Sequence, residues 1–302
     1  MITSFLADIL IDPVDKTPLE LNAEENVLKS KKQDYEIIEN VPVLTAPLSY
    51  ATVTNSPLHK KQESQFSYLD HYEKDAHFFN YFEGDESFTT AQERKRSRQM
   101  IISEVPRSCD TILDVGCGGA WVAQHFLPLQ KKVVSMDISK TNPIKALQNL
   151  PHPNHSAVVA DVFKMPFKEN TFDIIIASEV IEHVFDPTLF VEKLLEVLKP
   201  GGKLILITPY NEKIVYHLCV HCNKPTPANA HLHSFNEKNI SEYLGTVSGN
   251  LTTVAFSNKL LVKVRFYAAL YFLPFKAWLF IDKVFNRLFN KRSIFLVTIV
   301  KA

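Results

Sequence analysis

The sequence predicts an α/β fold with a mainly parallel sheet, and two observations support this prediction. From residue 110 onward, short apolar runs alternate with amphipathic segments of helical length, which is the element order of α/β domains. The apolar runs lack regularly spaced polar residues, as expected of strands that are covered on both faces. Strands are predicted at 111–115, 132–136, 157–160, 172–177, 203–208, 250–257 and 294–300, and helices at 120–129, 141–150 and 187–198.

Length and composition limit the class of protein. The chain has 302 residues, of which 46% are apolar and 22% charged, so a disordered chain and a disulfide-stapled miniprotein are excluded. Its 33 basic residues balance 33 acidic ones, so no global field draws it to nucleic acid. It has four cysteines and no basic segment ahead of an apolar run at the N-terminus. We therefore expect a cytoplasmic setting without a signal peptide.

Three regions follow one another along the chain. A small β-rich module comes first, and a connecting region begins with polar, turn-prone sequence and continues through aromatic-rich and charged segments. The α/β domain comes last and contains two insertions, of which the second is an amphipathic helical insertion before the last strand. The predicted boundaries are 1–47 for the module, 48–109 for the connecting region, 110–302 for the domain, and 211–234 and 259–292 for the insertions.

Glycine is concentrated at a few positions. The chain has eight glycines, and three of them, Gly116, Gly118 and Gly119, follow the first strand of the α/β domain. Glycines there let the backbone approach a ligand closely, and the helix that follows offers free N–H groups. Asp114 adds a carboxylate at the strand end. No Gly-Lys-Ser/Thr sequence follows, which excludes a P-loop.

Polar residues also follow the next three strands. Asp137 comes about twenty positions after the glycine loop, the spacing of a carboxylate that binds ribose hydroxyls. Asp161 and Val162 follow the third strand, and Ser178 ends the fourth. A lone aspartate at a strand end is more often a helix cap. In this order and spacing, however, the set predicts a nucleotide site at the carboxyl edge of the sheet.

Residues 110–210 resemble the class I S-adenosylmethionine (SAM)-dependent methyltransferases, with a type-11-like domain of the ubiquinone-pathway kind. The resemblance lies in LDVGCGGA (113–120), VVSMDIS (133–139), VVADVFKMPFKENTFDIIIASEVIEHV (158–184) and LLEVLKPGGKLILITPY (194–210). It implies a Rossmann-like, seven-stranded methyltransferase sheet with SAM as the cofactor. The family often has a third glycine where this chain has Ala120. A dinucleotide dehydrogenase would need a glycine where Trp121 stands.

The resemblance also implies roles for individual residues. Asp114, Gly116 and Gly118 would line the methionine side of SAM, and Asp137 would hold the ribose diol. Asp161 and Val162 would meet the adenine, Ser178 would lie near the sulfonium, and helices within 48–109 would cap the cofactor.

A second group of residues is a candidate for catalysis. Glu179, Glu182 and His183 are predicted to share one face of a helical turn, where they could act as a base or hold a divalent metal. The group resembles the Glu-x-x-Glu-His stretch of the ubiquinone-pathway O-methyltransferases, which looks like a metal and acceptor site. In the alternative interpretation, His183 caps a helix and packs near SAM.

The first insertion contains four candidate metal ligands. Cys219 and Cys222 are followed by His231 and His233, a set that suits tetrahedral zinc. The alternatives are a redox pair or two buried thiols, with the histidines on the acceptor side. This stretch resembles an insertion in SAM methyltransferases of surface-glycan and natural-product pathways, where a cysteine pair and a histidine lie over the acceptor pocket.

The N-terminal module has a resemblance of its own. FLADILIDPVDKTPLEL and YEIIENVPVLTA resemble the small zinc-ribbon-like domain that partners tRNA and protein methyltransferases. The first two cysteines of that domain fall at Asp12 and Asp15, and residues 1–108 contain no cysteine. We therefore expect the fold of that domain without a thiolate metal site.

The second insertion is basic and apolar. Residues 259–292 contain eight basic residues and one acidic residue, with apolar residues at helical spacing between them. This pattern is typical of a helix that lies in a membrane interface, and Pro274 and the charged flanks argue against a spanning helix. The alternatives are a helix that covers the core, or a homodimer interface.

Together these features predict a SAM-dependent methyltransferase. The expected acceptor is a small molecule or a lipid-linked one, with O-methylation favoured and a peripheral position at the inner membrane face. The alternatives are an RNA methyltransferase or a SAM-binding protein without turnover. No basic patch with stacking aromatics lies near the glycine loop, so a nucleic-acid partner is not expected.

Overall fold

The computed structural model describes residues 2–45, 68–83, 87–218, 223, 225–244, 247–263 and 270–302. The chain forms two compact units. The first comprises Met1–Glu83, Asp110–Ile175 and Glu192–Lys199, and the second comprises Gly84–Cys109, Ile176–Val191 and Pro200–Ala302.

The N-terminal module contains a helix and a small antiparallel sheet. The helix is α1 (Ser4–Ile9), and the strands, in sheet order, are β1 (Glu20–Asn22), β2 (Val27–Lys29), β3 (Asp34–Ile38) and β4 (Val41–Pro42). The sheet confirms the predicted β-rich module. Helix α1 was not predicted; it begins at Thr3, whose hydroxyl accepts a hydrogen bond from the Leu6 N–H (3.2 Å).

The remaining elements form the α/β domain and the segments joined to it. The helices are α2 (Tyr68–Phe78), α3 (Phe88–Glu104), α4 (Trp121–Phe126), α5 (Thr141–Asn149), α6 (Pro187–Val197), α7 (Ile240–Leu244), α8 (Lys259–Lys263) and α9 (Phe275–Leu288). The strands are β5 (Thr111–Val115), β6 (Lys132–Asp137), β7 (His155–Val159), β8 (Phe172–Ser178), β9 (Leu198–Pro209), β10 (Tyr216–Leu218), β11 (Pro225–Pro227), β12 (Asn250–Asn258) and β13 (Arg292–Val300).

Seven of these strands form one sheet, in the order β12-β13-β9-β8-β5-β6-β7. Strands β5, β6 and β7 are parallel, whereas β13 is antiparallel to both β12 and β9. All seven predicted strands are present, and β9 begins at Leu198 rather than at residue 203. The order matches that of dinucleotide-binding sheets, except that the last strand lies between the fifth and the sixth. The predicted Rossmann-like, seven-stranded fold is confirmed.

The N-terminal module covers the edge of this sheet within the first unit. Val43 pairs in parallel with Val159 of β7, and the Leu44 N–H donates to the Val159 carbonyl (2.8 Å). Val41 and Val43 pack with Ala157 and Val159 in one buried cluster. The end of β7 at Val159 is therefore paired with the module.

Asp173 joins the first residues of β8 and β5. Its carboxylate accepts hydrogen bonds from the backbone N–H groups of Asp110 (2.8 Å) and Thr111 (2.9 Å) and from Lys199 Nζ (2.7 Å). Burial would raise the pKa of this carboxyl, but the hydrogen bonds from Lys199 and from the two backbone groups outweigh it and lower the pKa to about 2.

Within the described residues, none of the helices combines the length and the apolar character needed to cross a bilayer.

Candidate active site

The glycine loop follows β5 and bends back against β6. The Gly116 and Cys117 N–H groups donate to the Met136 carbonyl (2.9 and 3.0 Å). Gly116 and Gly118 have φ angles of 69° and 44°, in the left-handed region that favours glycine. Ala120, fully buried just before α4, also has a positive φ (53°), a conformation that costs an alanine about 1–2 kcal/mol. The loop thus keeps a glycine-type backbone where the residue is not glycine.

Asp137 at the end of β6 closes this loop. Its carboxylate accepts hydrogen bonds from the Gly118 N–H (3.3 Å), the Ser139 N–H (3.0 Å) and the Asn142 side-chain amide (3.1 Å). Burial raises the pKa of Asp137, and these three hydrogen bonds oppose that shift. The structure thus places the Asp137 carboxylate against the turn at Gly118, a residue without a side chain.

The other predicted cofactor residues lie at or near strand ends. Asp114 is buried within β5. Asp161 follows β7, and its side chain accepts from the Phe163 N–H (3.0 Å), which caps the short 3-10 helix Val162–Lys164. Ser178 is the last residue of β8 and is half-buried. The hydrogen bond made by Asp161 corresponds to the helix-cap alternative that the sequence left open.

Tyr81 lies directly over the glycine loop. A β-carbon on Gly118 would lie 3.7 Å from the Tyr81 ring, and one on Gly119 would overlap the Tyr81 carbonyl oxygen. The Tyr81 hydroxyl donates to Asp75 of α2 (2.5 Å). Glu73, also in α2, accepts from the Lys140 N–H (2.6 Å) at the start of α5. Helix α2 is therefore tied both to the loop and to the element after β6.

Glu179, Glu182 and His183 lie on a turn in the second unit. The predicted helical turn is wrong, because Glu179 has a φ of 57° and α6 begins only at Pro187. The turn is closed by the His183 N–H, which donates to the Val180 carbonyl (3.0 Å). The Glu179 N–H donates to the Ile207 carbonyl (2.9 Å), which fixes the turn to β9.

Glu182 is fully buried. Neither of its carboxylate oxygens makes a hydrogen bond of good geometry within the described part of the chain, and the side chains of Glu179 and Thr208 lie beside it. Burial, and next the neighbouring Glu179 carboxyl, raise the pKa of Glu182 well above its usual range. Burial also raises the pKa of Glu179. An unsatisfied carboxylate at this depth is costly unless a cation or a donor meets it.

His231 completes a cluster with Glu182 and His183. One donor atom from each of the three lies within 4.8 Å of the others. His183 Nδ1 faces the Ala230 carbonyl (3.3 Å), and His231 Nδ1 faces the Glu212 carboxylate (2.5 Å). Each Nδ1 thus faces an oxygen that can accept, and a neutral imidazole in this position has its proton on Nδ1 and its lone pair on Nε2.

The backbone brings these residues together. The Leu232 and His233 N–H groups both donate to the Glu182 carbonyl, at 2.8 and 3.2 Å. His233 is buried beside Tyr243 and Phe235, with ring centroids 5.6 and 6.0 Å away. Of the predicted zinc ligands, Cys219 and Cys222 lie outside the described residues. The structure places His231 with Glu182 and His183, and places His233 among aromatic rings.

Comparison with known proteins identifies the region from the end of β5 into β9. Residues 113–206 match the family model described as "Methyltransferase domain". The chain is 39% identical over 101 residues to the ubiquinone biosynthesis O-methyltransferase of Chelativorans sp. (strain BNC1), which covers 32% of this chain and 39% of that protein. It is 30% identical over 130 residues to the chloroplastic tocopherol O-methyltransferase of Arabidopsis thaliana, which covers 39% of this chain and 35% of that protein. The chain thus spans less than half the length of these relatives.

A solved structure has the same fold. The S-adenosylmethionine-dependent methyltransferase from Mesorhizobium loti superposes with a TM-score of 0.50 at 13% identity, covering 70% of this chain and 100% of that one. Residues 113–206 thus belong to a methyltransferase domain, and the structure around them has the fold of SAM-dependent methyltransferases. The resemblance stated from the sequence is confirmed to that extent, while the zinc-ribbon resemblance of the N-terminal module stays a prediction.

The first unit contains residues that fit SAM. Gly116 and Gly118 have the left-handed backbone of a tight turn, and the buried Asp137 carboxylate accepts a hydrogen bond at that turn. A carboxylate at the end of β6 suits a ligand with ribose hydroxyls. The sequence did not single out Tyr81 or Glu212. The aromatic-rich stretch before residue 83 was the available signal for Tyr81, and no local signal marked Glu212.

Proposed function

We propose that this protein transfers a methyl group from SAM to an oxygen atom of a small, lipid-soluble acceptor. The main observation in support is that Asp137, at the end of β6, accepts a hydrogen bond from the glycine loop. The two relatives named above are O-methyltransferases. Ubiquinone and tocopherol, which those relatives are named for, are both hydrophobic ring compounds with oxygen substituents. This chemistry supports the choice of oxygen as the accepting atom.

The cofactor would be held by residues of the strand ends. Asp114, Gly116 and Gly118 would contact its methionine part and Asp137 its ribose, while Asp161 and Val162 would meet the adenine and Ser178 the sulfonium. When bound, SAM supplies a methyl group on a sulfonium sulfur, which is already an activated leaving group. The protein then needs mainly to orient the acceptor oxygen in line with that methyl group. Tyr81 would exclude water above the loop.

The acceptor side would use the turn after β8. His183, with its lone pair on Nε2, would take the proton from the acceptor hydroxyl as a general base. His231, whose Nδ1 faces Glu212, is a second candidate for accepting this proton. Glu179 and Glu182 would affect the electrostatic potential at these two histidines. In an alternative arrangement, Glu182, His183 and His231 would hold a divalent metal, which lowers the pKa of a hydroxyl bound to it, and the imidazole lone pairs would then be used by the metal.

The metal is supported by the chemistry of the donors. Two imidazole nitrogens and a carboxylate suit zinc with an open coordination position, and both imidazoles have a hydrogen-bond partner of the kind that metal-bound histidines use. A cation bound at Glu182 would stabilise the charged form of this carboxyl group, which burial disfavours. A cysteine-containing zinc set at Cys219 and Cys222 stays a separate prediction.

The proposal also covers membrane contact and the location of the protein in the cell. A lipid-soluble acceptor is met at a membrane, so we propose peripheral contact with the membrane through residues 259–292 and a cytoplasmic protein otherwise. A homodimer stays an open prediction.

The test has two stages on the full-length protein. Calorimetry with S-adenosylhomocysteine should give a one-to-one site, and labelled SAM should then methylate a dihydroxybenzene with an isoprenoid chain in preference to one without it. His183→Ala should keep S-adenosylhomocysteine binding and lose transfer. A folded protein that does not bind S-adenosylhomocysteine would contradict the proposal, and binding without transfer to any hydroxylated acceptor would contradict the O-methylation.

A further inference from the structure

Helix α9 presents one face to the interior of the second unit. Trp278, Asp282 and Asn286, spaced four residues apart, are buried. The Asp282 carboxylate accepts hydrogen bonds from the backbone N–H groups of Ser257 (3.0 Å) and Asn258 (2.9 Å). Asn286 donates to the same carboxylate (2.9 Å). These bonds fix the rotation of the helix about its own axis.

The segment before α9 is fixed as well. Arg96 of α3 is buried, and its guanidinium donates to the carbonyls of Leu270 (2.9 Å) and Leu273 (3.2 Å). The same guanidinium lies over the Trp278 ring, 5.1 Å from its centroid. After the helix, the Asn258 side-chain amide donates to the Phe289 carbonyl (2.7 Å). Both ends of α9 are therefore held in place, and its outer face is a defined surface.

The outer face of α9 is apolar. Phe280 and Leu288 are 69% and 68% exposed, and Val284 between them is 41% exposed. Phe272, just before the helix, is 85% exposed. The four-residue spacing of 280, 284 and 288 makes one continuous stripe. A stripe of this kind gains nothing from contact with water, and such patches mark surfaces that bind something.

Basic residues border the stripe. Lys276, Lys283 and Arg287 are exposed and lie three or four residues from Phe280 or Val284, so they share its side of the helix. The only acidic residue between 259 and 292 is Asp282, which is turned inward. The outer face is therefore apolar and positively charged, with no carboxylate of its own segment on it.

We infer that this outer face, defined by Phe272, Phe280, Val284, Leu288, Lys276, Lys283 and Arg287, docks on an anionic lipid bilayer. The apolar side chains enter the boundary between headgroups and acyl chains, and the basic side chains meet the phosphates. The inference deepens the proposed function, on which it rests for the lipid-soluble acceptor. It names the face that meets the bilayer.

Charge decides between the bilayer and a second copy of the chain. A two-fold dimer through this face brings the same basic patch of each copy against the other, and like charges oppose that contact. Anionic headgroups complement the patch instead. The bilayer therefore fits both properties of the surface, whereas self-association fits only the apolar one.

Vesicle flotation of the full-length protein tests the inference. Wild-type protein should float with vesicles that contain phosphatidylserine and bind weakly to pure phosphatidylcholine. The double variant Phe280→Ser/Leu288→Ser should weaken flotation by about tenfold or more, and Lys283→Gln/Arg287→Gln should remove the dependence on phosphatidylserine and on salt. Leu129→Ser, an exposed leucine elsewhere (55% exposed), is the matched control and should float like the wild type.

Two results would overturn the inference. One is wild-type protein that floats with neither vesicle, or a double variant that floats unchanged. The other is a dimer by sedimentation that Phe280→Ser/Leu288→Ser dissociates, without vesicle binding, which would assign the face to a second copy. Binding of S-adenosylhomocysteine, measured in parallel, verifies that each variant is folded. Wild-type protein that floats with the vesicles but does not bind S-adenosylhomocysteine would count against the proposed function alone.

Discussion

The carbonyl oxygen of Tyr81 occupies the space that a β-carbon on Gly119 would need. Both belong to the first unit, and the contact is between backbone atoms, which move less readily than a flexible side chain. Gly119 is therefore required by the approach of another chain segment. Its neighbours Gly116 and Gly118, by contrast, have positive φ angles.

Substituting Gly119→Ala should force the Tyr81 segment away from the loop. We expect a loss of stability of about 1–3 kcal/mol in urea unfolding, together with weaker S-adenosylhomocysteine binding in calorimetry. Gly201→Ala is the comparison, because Gly201, unlike Gly119, has a positive φ (74°) and nothing lies near its missing β-carbon. If Gly119→Ala leaves both stability and binding unchanged, the Tyr81 contact does not set the requirement.

Asp137→Ala should weaken S-adenosylhomocysteine binding. The loss removes charged hydrogen bonds to the ribose, each of about 1.5–3 kcal/mol, so the Kd should rise by at least about tenfold. Asp137→Asn should retain part of the contribution that Asp137 makes to the stability of the fold, because the asparagine side-chain oxygen can still accept from the Gly118 N–H. Unchanged affinity in Asp137→Ala would remove the ribose assignment.

Asp173→Asn should change how stability depends on pH. The folded-state pKa of about 2 lies below the ordinary 3.8, so the ionised carboxylate stabilises the fold fully above about pH 4. That contribution is lost as the pH falls through about 2. The variant should lose about 1 kcal/mol at pH 7, since the pair with Lys199 is partly exposed. It should also have a flatter acid limb in thermal melts between pH 4 and 2. An acid limb identical to the wild type would contradict this.

Leu44→Ala tests the contact of the N-terminal module with β7. Leu44 is fully buried and its N–H pairs with Val159, so the truncation should cost about 2–5 kcal/mol. Leu21→Ala, at an exposed leucine of the same module (45% exposed), should cost under about 0.5 kcal/mol. Equal and small effects in urea unfolding would mean that the module contributes little to the unit.

The donor cluster predicts stabilisation by metal. Zinc at about a hundred times its Kd should raise the free energy of unfolding by about 2.7 kcal/mol, measured as a Tm shift that a chelator reverses. His231→Ala and Glu182→Gln should each remove most of that shift. His77→Ala, at an exposed histidine of α2, should keep it. A shift that survives in His231→Ala would place the ion elsewhere.

The central sheet could be read from the sequence because its strands are long apolar runs separated by amphipathic helices. A strand that is buried on both faces is apolar along its length, so its own sequence is enough to predict it. Helix α1 was missed because it has only six residues, too few for a helical repeat. Its start is signalled by the Thr3 cap, a contact that any loop threonine could make.

The candidate catalytic site was only partly predictable. The spacing of Glu179, Glu182 and His183 fits a helix as well as it fits a turn, and nothing local shows that Glu179 has a left-handed backbone, since such residues are usually glycine or asparagine. The meeting of His183 and His231 depends on backbone hydrogen bonds from residues 232 and 233 to Glu182. Contacts between segments so far apart along the chain leave no periodic trace.

The inward turn of Asp282 has a consequence for the electrostatics of the whole chain. The formal net charge is zero, yet Lys276, Lys283 and Arg287 are exposed on α9, while the one acidic residue of that helix, Asp282, is buried. The molecule is thus neutral in sum and unevenly charged in space. A neutral protein of this kind feels little net pull from a charged surface but a strong torque, so it is turned into its binding orientation during the approach, before any contact forms.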